Sequence, residues 1–449
     1  MGPLHGLRDL TVTLNRPLIT KLLVPLMAFA ATLAVILLLN RSSDPTGGSA
    51  SSGGGVLAAP GASTDGQIAA LERNLADDPG STELYAALGN AYLQKVRETG
   101  DASFYARAET AFGQGLRRNP KDAGTLTGLG GLALSRHDFK GGLRYGLAAH
   151  AAAPQVVRPY GVIVDAQVEL GRYDDAARTL QKMVDLKPNL ASYSRVSYFR
   201  ELHGDLPGAL ATMRLAVSAG GDAPENLAYV QTLLGNLEFD RGSLGAASMA
   251  YRLALARYPR YVPAEAGLAR VEAARGGLGA AIRRYRSVVA RLPLPEYVIA
   301  LGETELAAGR TAAARRDFAL VAVEQRLLQQ NGVNTDTELA VFEANHGDPG
   351  QAVTLGRRAW MNAPSVRSAD ALGWALTRAG RPAEGLRWDA KALALGSVDP
   401  AFQYHAGMTA KATGRTDLAR RRLERSLAHN PRWSPLYAPR AKRALEGLR

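Results

Sequence analysis

The sequence predicts an all-α fold: an α-solenoid of about ten helix pairs, preceded by one transmembrane helix. Three observations predict it. A small residue recurs at intervals of 33, 34 or 38 residues, a turn glycine stands five residues before most copies, and a proline stands twelve residues after most copies. One short helix pair cannot bury its apolar face alone, so a repeated pair predicts a stacked array.

The small residue marks the register of the repeat, because it lets two helix backbones come close. Its copies are Ala108, Gly142, Ala176, Ala209, Ala247, Ala281, Ala314, Ala352, Gly385 and Ala419. Glycine ends a helix where the backbone needs positive φ. The turn glycines are Gly171, Gly204, Gly242, Gly276, Gly309, Gly347, Gly380 and Gly414. His137 takes the same slot in an earlier copy.

One copy shows the whole pattern. Leu234-Gly235 lies in the first helix, followed in the second by Ala247, Tyr251 and Pro259. A helix pair of 34 residues with these marks resembles the tetratricopeptide repeat.

The resemblance covers residues 67–431 and implies a right-handed superhelix. It departs from the family where an early tryptophan is expected, because Gln231 and Val298 occupy that slot.

Residues 1–17 form a short N-terminal tail, and residues 18–40 are predicted to be a transmembrane helix. The run from 22 to 39 carries no charge and is just long enough to cross a hydrocarbon core of about 30 Å. More cationic residues precede it than follow it, which places the N-terminus in the cytoplasm and the array outside the cell membrane. A cleaved signal peptide or a buried core helix are the alternatives.

Residues 41–66 are rich in Gly, Ser and Ala and predict a flexible linker. The repeat array then occupies 67–431, and a capping helix occupies 432–449. Arrays need an end cap with one polar face, which the basic residues of this last segment supply. This division leaves no room for a separate catalytic domain.

Composition and motifs favour a non-catalytic protein without a cofactor or a metal. The chain has no cysteine, which excludes disulfides and thiolate metal sites. Gly128 and Gly130 have dinucleotide-motif spacing but fall inside a predicted helix. An enzyme on a helical-repeat scaffold is the alternative, and it would need acidic groups such as Asp165 and Glu303 to converge from distant repeats.

The formal net charge is +13, and arginine runs recur on the second helices. The runs are Arg117-Arg118, Arg283 to Arg286, Arg315-Arg316, Arg357-Arg358 and Arg420 to Arg422. Stacked repeats would align them into a basic convex ridge or leave them as an ordinary solvated face. The ridge hypothesis gives an alternative function, a cytoplasmic-facing regulator that binds an anionic partner, nucleic acid or lipid, through the ridge. This alternative requires the reverse of the predicted membrane topology.

The family resemblance implies that the first helices line a concave groove that holds a partner's peptide or helix. The candidate groove residues are Asn90, Asp165, Tyr198, Tyr229, Asn236, Phe239, Arg270, Glu303, Trp374 and Arg378. Tyr198 and Trp374 could equally be packing residues of the repeat. A clamp for C-terminal carboxylates is not supported, because Ala86 and Thr232 stand where lysines are required. The sequence thus predicts a membrane-tethered scaffold for an unidentified protein partner.

Overall fold

The computed structural model describes residues 63–220 and 224–448, which form 22 helices, labelled α1 to α22 in chain order. Their bounds are Thr64–Asp77, Thr82–Thr99, Phe104–Arg118, Ala123–Ser135, Phe139–Ala152, Arg158–Glu169, Tyr173–Leu186, Leu190–Leu202, Leu206–Ala219, Pro224–Asp240, Leu244–Arg257, Val262–Ala274, Leu278–Arg291, Pro295–Ala307, Thr311–Gln330, Asp336–His346, Pro349–Asn362, Val366–Arg378, Pro382–Ala392, Pro400–Ala412, Thr416–Ala428 and Tyr437–Glu446.

The helices stack as pairs. Helix α1 leads, ten pairs run from α2–α3 to α20–α21, and α22 closes the array. The two helices of each pair pack together, and the first helices of neighbouring pairs also touch at several junctions. The predicted all-helical repeat array is therefore confirmed, with one helix pair for each register mark.

The glycine of the Leu-Gly pair makes room for an aromatic ring of the second helix. A Cβ added to Gly235 would lie 2.6 Å from the Tyr251 ring, and a Cβ added to Gly267 of the next pair would lie 2.4 Å from it. Tyr251 is fully buried between these two glycines. Phe112 packs in the same way against Gly89. The recurring small and aromatic residues thus build the close helix contacts of the array.

Most of the predicted turn glycines have the left-handed conformation that ends a first helix. Seven of the eight have positive φ, between 69° at Gly171 and 87° at Gly276. His137 adopts the same conformation with φ 58°. Gly347 is the exception, since its φ is −124°. Local backbone requirements therefore explain why glycine recurs at this slot.

The array coils until its second superhelical turn, built from the sixth to tenth pairs, lies against its first. Three turn glycines abut carbonyl oxygens of linkers about five pairs further along. These contacts join Gly171 to Pro364, Gly204 to Gly396, and Gly242 to His429. A Cβ added to these glycines would lie only 2.2, 2.6 and 2.3 Å from the respective oxygens.

Hydrogen bonds continue this row of contacts. The Asn334 backbone N–H donates to the Arg136 carbonyl oxygen at 2.9 Å, and the Val366 N–H donates to the Tyr173 hydroxyl at 2.8 Å. We call the row, from these bonds to the three glycine contacts, the seam. A solenoid in which each repeat contacts only its neighbours would lack it.

The prediction of a single-pass membrane protein is corrected. Across 63–220 and 224–448, none of the helices combines the length and the apolar character that a membrane crossing requires. Helices α2 and α15 are long enough, but charged and polar residues interrupt them. The predicted span at 18–40, with its tail and most of its linker, lies outside the described residues.

Candidate binding chamber

The two superhelical turns surround a chamber of about 780 Å³ that is partly open to solvent. The first superhelical turn contributes the C-terminal ends of first helices, represented by Arg97, Leu134 and Glu201. The second turn contributes the N-terminal ends of first helices, represented by Glu296 and Arg367. The chamber is therefore a product of the two turns lying together and does not belong to any single repeat.

Aromatic side chains supply much of the chamber wall. They are Tyr105, Tyr198, Tyr258, Tyr261, Tyr297, Tyr437, Phe342, Phe402 and Trp433. Trp433 is only 5% exposed, and its indole N–H has no hydrogen-bond partner among the described residues. The hydroxyl of the buried Thr335 also has none there. Buried polar groups are normally paired, so these two mark places where a guest could bond.

The chamber wall carries more carboxylates than cations, although the chain as a whole is strongly basic. Its carboxylates are Glu98, Glu201, Glu225, Glu296, Glu303, Glu338, Asp370 and Asp399. Its arginines are Arg97, Arg260, Arg291 and Arg367. Charge is thus segregated, with acidic groups facing inward.

Three acidic residues from separate elements interact electrostatically: Glu201 and Asp399, which line the chamber, and the buried Asp240. We call them the carboxylate cluster. Arg270 donates a 3.1 Å hydrogen bond from Nη2 to Asp240 Oδ1, and its positive charge also acts on Glu201. Glu201 Oε1 and Asp240 Oδ2 have no hydrogen-bond partner in the part of the chain that the structure describes. The cluster therefore contains more negative groups than its arginine can balance.

Burial and mutual repulsion perturb this cluster. Burial raises the pKa of Asp240 to about 7, against the opposing effect of Arg270. Burial, followed by repulsion from Asp240 and Asp399, raises the pKa of Glu201 well above its ordinary value. Burial is also the main cause that raises the pKa of Asp399, whose carboxylate accepts the first N–H groups of α20. The cluster is poised to lose protons when a positive group approaches it.

Two of the ten predicted groove residues, Tyr198 and Glu303, line the chamber. Burial raises the pKa of Tyr198, so its hydroxyl stays neutral. Glu303 Oε1 accepts a 2.8 Å hydrogen bond from the Tyr437 hydroxyl and lies 2.9 Å from His346 Nε2. These bonds join the seventh and eighth pairs to the capping helix.

The charged side chains at two other predicted groove positions form ion pairs with neighbouring repeats. The buried Asp165 carboxylate accepts two bonds, at 2.8 and 2.9 Å, from the Arg195 guanidinium of the next first helix. Arg270 pairs with Asp240, as described above, and its guanidinium carbon lies 3.9 Å from the centroid of the Phe239 ring. These predicted groove residues hold neighbouring repeats together.

Trp374 also bridges neighbouring first helices. Its indole N–H donates to Asn345 Oδ1 at 2.9 Å, and its ring stacks on His405 with centroids 4.4 Å apart. Arg378 donates from Nε to the Ala344 carbonyl oxygen at 2.9 Å. The alternative that Trp374 is a packing residue fits these contacts.

The remaining predicted groove residues lie outside the chamber wall. Asn236 accepts a 2.7 Å hydrogen bond from the Tyr251 hydroxyl. Tyr229 is 2% exposed and belongs to the apolar core, while Asn90 is half-buried. The predicted positions therefore trace the first helices, but most of them do not reach the chamber.

The sequence argument missed Glu201, Asp399 and the chamber-facing residues near the helix ends. Glu201 lies three residues after the predicted Tyr198, on the same helix face, and this spacing is a usable signal. Asp399 lies in a linker and reaches the chamber only because the second superhelical turn returns to the first. That return depends on the coil of the whole array, which the repeat pattern does not specify.

Several arginines of the predicted basic ridge have acidic partners. Arg284 pairs with Glu265 and Glu272, Arg286 pairs with Glu305, and Arg358 pairs with Asp336. These counter-charges interrupt the ridge and weaken the case for an anionic lipid or nucleic acid as the partner.

No set of three or more His, Asp or Glu side chains within 63–220 and 224–448 is arranged to hold a metal ion. Gly128 and Gly130, which have dinucleotide-motif spacing, lie inside α4 as predicted. The geometry therefore offers a binding space between the two superhelical turns.

Part of this chain is similar to known tetratricopeptide-repeat proteins. A family model described as "Tetratricopeptide repeat" matches residues 162–224. A thermophilic TPR protein of Thermus thermophilus is similar at 22% identity, over 41% of this chain and 95% of that one, with a TM-score of 0.36. A tetratricopeptide repeat protein of Parabacteroides merdae shares 15% identity over 58% of this chain and 98% of that one, with a TM-score of 0.33.

The human IFIT1 dimer with PPP-AAAA shares 14% identity over 81% of this chain and 86% of that one, with a TM-score of 0.45. No curated protein sequence matches this chain. The family match covers one stretch of the chain, and the ten helix pairs form a helical-repeat array of the kind that tetratricopeptide repeats build.

Proposed function

We propose that the protein is a non-catalytic interaction scaffold that binds an extended segment of a protein partner inside the chamber. The observation that carries this proposal is the space of about 780 Å³ between the two superhelical turns. Its volume falls in the range of ligand sites. A folded domain cannot enter a space of this size, whereas an extended chain segment can.

The chemistry of the wall supports a peptide guest. Tyrosines and tryptophan offer large, rigid contact areas with a polar group at the edge, which is what peptide recognition uses. The unpaired Trp433 indole N–H can donate to a peptide carbonyl oxygen, and the Thr335 hydroxyl can bond to either peptide group. Recognition of this kind needs no reacting groups, in keeping with the scaffold class.

A chamber-filling variant tests the proposal. Thr337 lines the chamber, whereas Thr354 is exposed on α17. We expect wild-type protein to bind at least one class among basic, acidic, neutral polar and apolar synthetic peptides. Thr337→Trp should weaken that binding by about tenfold or more, and Thr354→Trp should leave it unchanged.

Both variants are checked by thermal unfolding, so that lost binding is not mistaken for lost folding. Failure of every peptide class to bind would overturn the proposal. Equal binding by wild type and a folded Thr337→Trp protein would do the same, because the guest would then sit elsewhere.

A further inference from the structure

We propose that the partner segment is basic, and that one of its ammonium or guanidinium groups binds at the carboxylate cluster beside Glu201 and Asp399. This inference rests on the proposed peptide-binding function and names the chemistry of the guest. Three independent observations carry it: the charge of the wall, the unpaired oxygens of the cluster, and the location of the cluster between the superhelical turns.

The charge of the wall opposes that of the whole molecule. The chain has a formal net charge of +13, yet eight carboxylates face the chamber against four arginines. Some of these charges are already paired within the wall, since Arg97 lies 3.7 Å from Glu225 and Asp370 lies 2.9 Å from His405 Nδ1, and an excess of carboxylates remains. The exterior therefore repels a basic segment while the interior attracts it, which directs such a segment to the chamber.

The unpaired oxygens locate the point of attraction. Asp240 is 2% exposed, and one of its carboxylate oxygens lacks a partner in the described region, as does Glu201 Oε1. Glu201 interacts electrostatically with Asp240, Asp399 and Arg270, and the Arg270 guanidinium bonds to Asp240. Buried charges are normally paired and hydrogen-bonded, and a second cation would complete this set.

The location of the cluster makes it a property of the closed superhelix. Glu201 ends α8 in the first superhelical turn, whereas Asp399 caps α20 in the second. A cation bound between them would hold the two turns together from the inside. Aromatic faces line the same chamber and also favour a cationic guest.

Binding should be coupled to proton release. The pKa values of Glu201 and Asp399 are raised in the empty chamber, chiefly by burial, so these groups hold protons more readily than exposed carboxylates do. A guest cation favours their ionised forms and displaces protons. The pKa of Asp240 in the same cluster is raised to about 7, so the affinity for a basic peptide should increase as the pH rises through about 7.

The experiment compares a lysine-rich synthetic peptide with its glutamine analogue by fluorescence anisotropy. We expect the lysine peptide to bind about tenfold tighter. Glu201→Gln should remove most of this preference and reduce the pH dependence. Glu424→Gln is the matched control, because Glu424 is exposed on α21. Thr337→Trp should abolish binding of the lysine peptide, which shows that it enters the chamber.

The outcomes separate this inference from the function on which it rests. If the glutamine analogue or an acidic peptide enters the chamber as tightly as the lysine peptide, the scaffold function stands and the basic guest is wrong. If the lysine peptide binds but Glu201→Gln changes nothing, the assignment to the carboxylate cluster is wrong. If no peptide binds the chamber, both proposals fail.

Discussion

Two sets of turn glycines in this molecule share one backbone conformation but have different surroundings. Gly171, Gly204 and Gly242 have φ between 69° and 82°, and each abuts a carbonyl oxygen of the other superhelical turn. Gly380 and Gly414 have φ of 76° and 72°, with nothing within 4 Å of an added Cβ. The first set therefore serves both the helix turn and the seam, whereas the second serves only the turn.

The difference shows how a repeat protein acquires a closed form. Each pair repeats the same local turn, and the coil of the array determines which turns meet another part of the chain. Because glycine has no Cβ, its backbone can approach a carbonyl oxygen closely, and Cα–H···O contacts become available. The contact between the two superhelical turns thus depends on the same glycines that the helix turns require.

The largest expected effect comes from substituting one glycine of each set. Gly171→Ala and Gly380→Ala both place a Cβ at positive φ, which costs about 1 kcal/mol of folding free energy. Gly171→Ala also places that Cβ 2.2 Å from the Pro364 carbonyl oxygen. This overlap should cost about 1–3 kcal/mol more, as overpacking does. Chemical denaturation measures the difference between the two variants.

Small-angle scattering gives a second measurement on the same pair. Gly171→Ala should increase the radius of gyration, because the seam must open to accommodate the methyl group, while Gly380→Ala should match wild type. Equal losses of stability and unchanged dimensions in both variants would show that the seam is not a tight contact in solution.

A smaller effect is expected from a seam hydrogen bond. Tyr173→Phe removes the hydroxyl that accepts the Val366 backbone N–H at 2.8 Å. We expect a loss of about 1 kcal/mol, together with faster hydrogen exchange at Val366. Tyr193→Phe is the control, because Tyr193 lies on α8 and takes part in none of the seam contacts. Unchanged exchange at Val366 in Tyr173→Phe would contradict the assignment of this bond.

The same contrast explains which features the sequence could predict. The register marks, the glycine turns and the left-handed His137 follow from local geometry, so they are visible in any single repeat. Nothing local distinguishes Leu170-Gly171-Arg172 from Ala379-Gly380-Arg381, because the seam depends on small rotations accumulated over about five pairs.

The groove prediction was limited for the same reason. The family pattern predicted ten groove residues on the first helices, and two of them, Tyr198 and Glu303, line the chamber. It could not show that Asp165 is neutralised by Arg195 thirty residues later, since that pairing depends on side chains of two repeats. Nor could it place Asp399 opposite Glu201, because they meet only across superhelical turns.

The smallest expected effect on the seam is that of Asp389, which tests whether a change in stability alone opens the seam. Asp389 is 5% exposed, takes part in none of the seam contacts, and has a pKa raised to about 7 chiefly by burial and then by repulsion from Asp370. Between its ordinary pKa and about 7, the folded state binds more protons than the unfolded state. Its contribution to stability is therefore greatest at low pH and declines as the pH rises through 7.

Asp389→Asn removes this titration, so the variant should gain stability relative to wild type on going from about pH 5 to about pH 8. The gain should be at most about 1–3 kcal/mol, the usual cost of a poorly satisfied buried polar group. Denaturation at both pH values measures it, with the exposed Asp417→Asn as control. A pH-independent difference would contradict the raised pKa. If Asp389→Asn and wild type have the same radius of gyration at both pH values, the seam is held by its own contacts and does not open when stability alone changes.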